Sequence, residues 1–166
     1  MIRKISAIVY DNYVAIFGSP YSFFYPSPIN IDGNDYISML HYYIAEKARF
    51  FNDTETLDKI MSSTDINEIR KLEMEIKNYD DKKWAQEAAI DRMYKGTLAK
   101  FSQNDELKTL LFDEDFNDKT FAYASLTDRF WGTGIKFGDP KIDDKRHWLG
   151  LNIFGDVLTK VRNELL

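Results

Sequence analysis

Thr120-Phe121-Ala122-Tyr123-Ala124-Ser125 alternates in the period-two manner of a β-strand, and it runs directly into Asp128-Arg129-Phe130-Trp131-Gly132-Thr133-Gly134, which cannot continue either a strand or a helix. A strand placed this late in the chain needs partners from elsewhere. The first candidates lie at the start, where Ile5 to Tyr10 and Tyr13-Val14-Ala15-Ile16-Phe17 are β-branched or aromatic and flank Asp11-Asn12 as the two arms of a hairpin. Between these strands and the late one the period is helical. The resulting order of strand, strand, helices, strand, helix lacks the regular alternation of a doubly wound sheet. It predicts an α+β fold, helix-rich with a small sheet, in a single domain over residues 1–166.

The segments in between support this order. Pro20, Pro26 and Pro28 interrupt the aromatic stretch from Gly18 to Asn30, which is expected to be an ordered loop or edge segment. Ile29-Asn30-Ile31 then leads into Asp32-Gly33-Asn34, a tight-turn signal. Ser38 is placed to cap a helix carrying Leu40, Tyr43, Ile44, Lys47 and Phe51 on one stripe. Thr54 and Asp65 are expected to cap two more helices, ending near Ser62 and Lys77, with Asp65 and Glu68 at capping-box spacing. From Asp80 or Asp81 the pattern predicts one long helix to Gln103, its apolar face bearing Ile90, Met93, Tyr94, Thr97 and Phe101. A short helix from Asn104 or Asp105 to Phe112, an exposed excursion over Gly138 to Arg146, and a final amphipathic helix from Asn152 to Leu165 complete the chain.

Composition narrows the function classes. The 166 residues are 44% hydrophobic and include 12 Phe and 10 Tyr, so the chain can build a substantial core. A formal charge of −5 without a basic block argues against an extended nucleic-acid phosphate footprint, although a local pocket could hold a small anion. Zero cysteines exclude disulfides and thiolate metal sites, and two histidines make a zinc centre a poor expectation. No cofactor, metal or obligate protein partner is expected. Met1 to Ile5 does not read as a signal peptide and no long apolar run occurs, so no membrane is expected and a cytoplasmic location is the default.

The Asp128 loop carries the chemistry. Aromatic rings beside a carboxylate and permissive glycines suit stacking on a planar ligand, with a nucleobase and its ribose the obvious candidate. The plain alternative is a turn whose Phe130 and Trp131 plug the core. Asp128 could stabilise positive charge on a ribose ring and accept a proton from water, or it could simply turn its own backbone. Trp131 and Trp84 could each stack on a base, Trp84 alternatively packing a helix face. Lys47, on an apolar stripe, must snorkel or find an anionic partner. His41 could donate to ligand or satisfy a backbone carbonyl. Asn152 could be a ligand amide at the start of the last helix, where free N–H groups favour an anion, or an ordinary N-cap. Arg129 could meet a phosphate or remain exposed. Gly155, inside a helix, implies close approach of a neighbour or a ligand.

Several separated segments resemble the NADAR (NAD and ADP-ribose) superfamily. They are Tyr21-Ser22-Phe23-Phe24-Tyr25-Pro26-Ser27-Pro28 with Ile31-Asp32-Gly33, then His41-Tyr42-Tyr43 with Ala45 and Lys47-Ala48, then Trp84. Ala99-Lys100-Phe101-Ser102-Gln103-Asn104, Asp128 with Trp131-Gly132, and Gly150-Leu151-Asn152 with Gly155 follow in order. The resemblance implies an N-glycosidase that cleaves the bond between ribose and a base or amine, in a riboflavin-biosynthesis intermediate or an ADP-ribosylated nucleotide or nucleic acid. The family match at Lys47 implies contact with a phosphate or hydroxyl; Asp128 and Lys47 are the expected catalytic residues, with Trp131, Trp84, His41, Asn152, Arg129 and Gly132 around a nucleotide-like substrate. Two departures stand out. Leu40 occupies the position before the motif His where the family usually has Glu, and Phe23 stands where many relatives have Asn. Glu46 does not substitute for the missing carboxylate, because six residues along a helix place it about 240° around the axis from Leu40. A protein that binds ADP-ribose or a nucleotide without cleaving it is the alternative.

Overall fold

The computed structural model describes residues 6–116 and 118–166. The expected strand start at Ile5, and the stretch Met1 to Ile5, lie outside them. The fold is α+β, with two small sheets and far more helix than strand. Two compact units divide the chain, one of Met1–Tyr25 with Asn104–Leu166 and one of Pro26–Gln103.

In the first unit β1 (Ala7–Val9) and β2 (Tyr13–Ile16) form the expected hairpin, with Val9 opposite Val14. The late strand β5 (Thr120–Tyr123) pairs with β2 in parallel, Ile16 beside Tyr123, giving the order β1-β2-β5. One cluster against the sheet contains Ala15, Ala122, Ala124, Ile135 and Ile142. Ile142 is fully buried, so the segment from Gly138 to Arg146 is not wholly the exposed excursion its charge suggests.

The last helix, Ile153–Glu164, buries Phe154, Val157, Leu158 and Val161, the stripe its periodicity predicts. It also closes the sheet edge. β5 is an outer strand, and the Phe121 N–H is taken by Thr159 Oγ1 at 2.9 Å, the Tyr123 N–H by Asn152 Oδ1 at 2.7 Å. Side chains thus fill the ladder positions that would otherwise invite another strand. Gly155 is required by this arrangement, because a Cβ there would collide with Phe121 O and the Asn152 amide. The approaching neighbour is the protein itself. A short helix, Asp105–Thr109, capped by Asn104, also belongs to this unit and stops short of the Phe112 end expected.

The second unit begins with a hairpin, β3 (Ile29–Ile31) and β4 (Asn34–Tyr36). Its two-residue loop, Asp32-Gly33, has positive φ at both positions, the backbone a primed turn demands. Helix α1 (Met39–Phe50) follows, with Ser38 Oγ accepting from His41 N as expected of the cap. Helix α2 (Thr54–Ser62) is capped by Asp53 rather than Thr54, and α3 (Ile66–Glu73) ends earlier than Lys77. Asp65 does cap α3, but Glu68 bonds Ser63 Oγ, so the capping box does not close on Asp65.

The long helix of the sequence pattern is two helices, α4 (Asp81–Glu87) and α5 (Ala89–Ser102). Ala88 breaks it with φ −139° and ψ −31°. Within α5, Met93, Thr97 and Phe101 are buried as expected, but Ile90 is 46% exposed and Lys100 is on the buried face. Gly96 lets α1 approach, since a Cβ there would stand 3.2 Å from the Tyr42 ring.

Candidate active site

The expected site residues fall in both units. Asp128, Arg129, Trp131, Gly132 and Asn152 lie in the first, and His41, Lys47 and Trp84 in the second.

In the first unit the chain leaves β5 at Tyr123 and folds back on itself. Asp128 makes the turn: its Oδ1 accepts from Phe130 N at 3.1 Å and Trp131 N at 2.9 Å, while its own N–H donates to Ser125 Oγ. The backbone-turning alternative is therefore correct for one carboxylate oxygen. Oδ2 makes no hydrogen bond or ion pair among the described residues, so the loop fixes the carboxylate and leaves one oxygen open.

A second polar group, the Tyr123 phenol, interacts electrostatically with Asp128. Tyr123 is 6% exposed, stacked by Phe17 at 6.2 Å and met edge-on by Phe154 at 5.3 Å. Its hydroxyl makes no hydrogen bond among the described residues. Burial raises its pKa above the ordinary 10, and the nearby charge of Asp128 raises it further, so the phenol keeps its proton. The only sequence signal was position, a tyrosine closing a strand five residues before the loop carboxylate.

Three expectations for this unit are corrected. Asn152 is fully buried in a left-handed conformation, φ 56°, and its amide both accepts from Tyr123 N and donates to Phe121 O at 3.0 Å. It is neither a ligand amide nor a side-chain cap; it holds the strand edge. The helix start offers no free anion site, because the N–H groups of Asn152, Ile153 and Phe154 donate to Gly132, Phe130 and Trp131 carbonyls. Gly132 is buried, and a Cβ there would stand 2.7 Å from Asp128 O and 2.9 Å from Ser125 Cβ. Its missing side chain makes room for the loop's own backbone, not for substrate. Arg129 is exposed, and Trp131 is half-buried with Phe130 edge-on at 4.8 Å.

Beside the loop, at the carboxyl ends of β2 and β5, lies a cleft of about 570 Å³ lined by Phe17, Ala124, Ser125, Leu126, Thr127, Lys136 and Phe137. Its walls are mainly apolar.

In the second unit the expected site residues are satisfied internally. His41 is 2% exposed; its Nδ1 accepts from Ile37 N at 3.1 Å and its Nε2 donates to Ile60 O at 2.9 Å. Those two bonds fix the neutral tautomer, and burial pushes its pKa below 6.5. It satisfies backbone, correcting the ligand-donor expectation. Trp84 is 2% exposed and donates from Nε1 to Tyr43 Oη at 2.8 Å, so it is core rather than a stacking platform. Lys47 finds the anionic partner its position demanded, and that partner is Glu73 at 2.9 Å. Its Nζ also lies 5.2 Å from the Tyr43 and Tyr79 ring centres, which accounts for an ammonium on an apolar stripe. Glu46 is likewise committed, bridging Arg49 at 2.8 Å and Arg92 at 3.2 Å. Lys100 is fully buried, and burial lowers its pKa to about 7.

Comparison with known proteins places the chain. It is 32% identical to protein irg-1 of Caenorhabditis elegans over 75% of its length, covering 58% of that protein. It is also 32% identical to N-glycosidase R617 of Acanthamoeba polyphaga mimivirus, over 78% of this chain and 75% of that one. Identity to the riboflavin biosynthesis protein VVA0006 of Vibrio vulnificus is 30% over 86% of this chain, but only 34% of the Vibrio protein is covered. In three dimensions it matches the NMR structure of the Escherichia coli protein YbiA with a TM-score of 0.72 and 22% identity, across 98% of this chain and 90% of that one. No helix among the described residues is long and apolar enough to cross a membrane. The sequence model of the NADAR domain matches residues 16–166, and the chain belongs to that family.

Proposed function

We propose that the protein is an N-glycosidase that hydrolyses the bond between ribose and a base or amine, in a riboflavin-type intermediate or an ADP-ribosylated nucleotide. One observation carries this reading: a carboxylate fixed through Oδ1 and open at Oδ2, next to a phenol that keeps its proton. As the C1′–N bond breaks, its electron pair leaves on the nitrogen and positive charge builds on the ribose. The Asp128 carboxylate stabilises that charge and takes a proton from the water whose oxygen bonds C1′. The departing nitrogen accepts a hydrogen bond from the Tyr123 hydroxyl and takes its proton from solvent. Trp131, half-buried on the same loop, supplies a wall for the substrate. The relative named N-glycosidase supports the reaction class. Incubation with a ribosylamino-pyrimidine phosphate and with ADP-ribosylated guanine nucleotide tests the reading; release of free base supports it, and no turnover on either substrate refutes it.

Leu40 favours a second reading, in which the protein binds ADP-ribose without cleaving it. Its side chain is 7% exposed on α1, so packing replaces the carboxylate that the family resemblance leads one to expect. Calorimetric binding of ADP-ribose without release of base would select this reading. Under the first reading, Leu40→Glu gives no rate gain and destabilises the fold by about 2–4 kcal/mol, because the carboxylate enters a buried position. A rate gain would favour a weakened enzyme.

A further inference from the structure

Phe17 and Leu126 are 46% and 58% exposed, although a large apolar side chain at the end of a sheet would ordinarily be covered. Both line the cleft at the carboxyl ends of β2 and β5, the parallel pair of this sheet, which is where twisted parallel strands diverge and ligands settle. Phe17 is held in place from behind by Tyr123, its ring inclined only 24° to it, and Phe137 stands 6.3 Å away at 30°. Phe17 and Phe137 are therefore an aromatic pair in the cleft lining, with Phe17 exposed and Phe137 half-buried. Lys136 closes one side and makes no ion pair among the described residues. Ser125 and Thr127 supply hydroxyl groups on the other, and Thr127 immediately precedes Asp128. A volume of about 570 Å³ is of the size that holds a small organic ligand.

We propose that this cleft is the heterocycle subsite: a nucleoside monophosphate lays its base on Phe17 and Phe137 and directs its phosphate to Lys136. The assignment deepens the N-glycosidase reading and rests on it for the chemistry, though not for the binding. It transfers the stacking role from the indoles of Trp131 and Trp84 to two phenylalanines at the sheet end. An apolar floor flanked by one cation matches a flat, phosphorylated ligand better than a hydrocarbon chain, which would leave Lys136 unused.

Titration calorimetry with guanosine 5′-monophosphate, using ribose 5-phosphate as the base-free control, tests the proposal. Wild type is expected to bind the nucleotide at least tenfold more tightly than the sugar phosphate. Phe17→Ser weakens nucleotide binding at least tenfold and leaves the sugar phosphate unaffected, while Lys136→Ala weakens both. Lys136 is exposed, so its variant folds even if the Phe17 variant does not. Wild-type affinity in both variants overturns the subsite. So does a dimer, seen by sedimentation, that Phe17→Ser dissociates while no nucleotide binds, since the floor would then be a self-association surface. The outcomes separate from those of the N-glycosidase reading. Nucleotide binding lost in Phe17→Ser with no turnover in wild type refutes only the chemistry, and undiminished turnover in Phe17→Ser refutes only the subsite.

Discussion

Two regions carry the residue types expected of a site, and they treat those residues in opposite ways. At the carboxyl end of β5 the Asp128 carboxylate keeps one oxygen open and the Tyr123 hydroxyl has no protein partner among the described residues, while Phe17 lies exposed nearby. Along α1, both nitrogens of His41 are bonded, Lys47 is paired with Glu73, and the Trp84 N–H is taken by Tyr43. Buried polar groups that satisfy one another stabilise a core; groups without a protein partner that reach solvent remain available for a ligand. Under the proposed function the first region supplies the reactive groups and the second the architecture. Residue type alone would have ranked the histidine and lysine first.

The largest expected effect tests the open region. Asp128→Asn keeps an oxygen to accept from Phe130 and Trp131 and removes only the charge, so the loop should survive. Turnover is expected to fall about 10²–10³-fold, the loss typical of a group that stabilises charge in the transition state. Base-release kinetics and a thermal melt measured together check this. An undiminished rate in a folded variant would place the reactive carboxylate elsewhere.

Next comes Asn152, which looks like a ligand residue in sequence and acts as a staple in the structure. Asn152→Ala strips partners from Tyr123 N and Phe121 O, both buried, and should cost about 2–4 kcal/mol in denaturant unfolding. The folded fraction should retain its affinity for nucleotide. If stability held while affinity fell, the staple assignment would be wrong.

Asn152 also marks where sequence reading stops. The hairpin, the Ser38 cap and the stripe of the last helix were legible because each depends on neighbours a few residues apart. The break at Ala88 was not, since no glycine or proline marks it and the pattern on either side stays helical. Of the candidate site, the turn that Asp128 makes was legible from local composition. The commitments of Asn152 to β5, of Lys47 to Glu73 and of His41 to Ile60 span 19 to 31 residues, and a one-dimensional pattern shows that such residues need partners without showing which ones they find. Phe17 read as the last residue of a strand because nothing local distinguishes an aromatic that packs from one left uncovered. Its exposure depends on what the rest of the chain does not cover.

Lys47 offers a smaller and sharper test of the closed region. Lys47→Met preserves the stem against the aromatic rings and deletes the ammonium, and Glu73→Gln deletes its partner. A partly exposed ion pair of this kind contributes about 1 kcal/mol, so both variants should lose roughly that much and the double variant little more. The structural role predicts unchanged kcat and KM. A collapse of kcat in Lys47→Met alone would make the lysine catalytic and dissolve the contrast between the two regions.

The smallest effect is a pH dependence, and it tests whether His41 is closed in the native state. Burial, with the charge of Arg49 adding to it, lowers its pKa below the 6.5 of an exposed histidine, against the opposing bond to Ile60 O. Above pH 6.5 the ring is neutral in both folded and unfolded chains and the full stability is present. As pH falls below 6.5 the unfolded chain gains a proton that the native ring resists, because protonating Nδ1 would break the bond from Ile37 N. Stability should therefore decline from pH 6.5 downward to the folded pKa, by at most about 1.4 kcal/mol per pH unit from this one group. Denaturant unfolding of wild type and His41→Gln between pH 8 and 5 isolates the contribution, since the variant lacks the titrating ring whatever its absolute stability. A native His41 that titrates at or above 6.5 by NMR would mean that its ring nitrogens exchange with solvent, and the α1 region would then share the openness that the comparison assigns to the end of β5 alone.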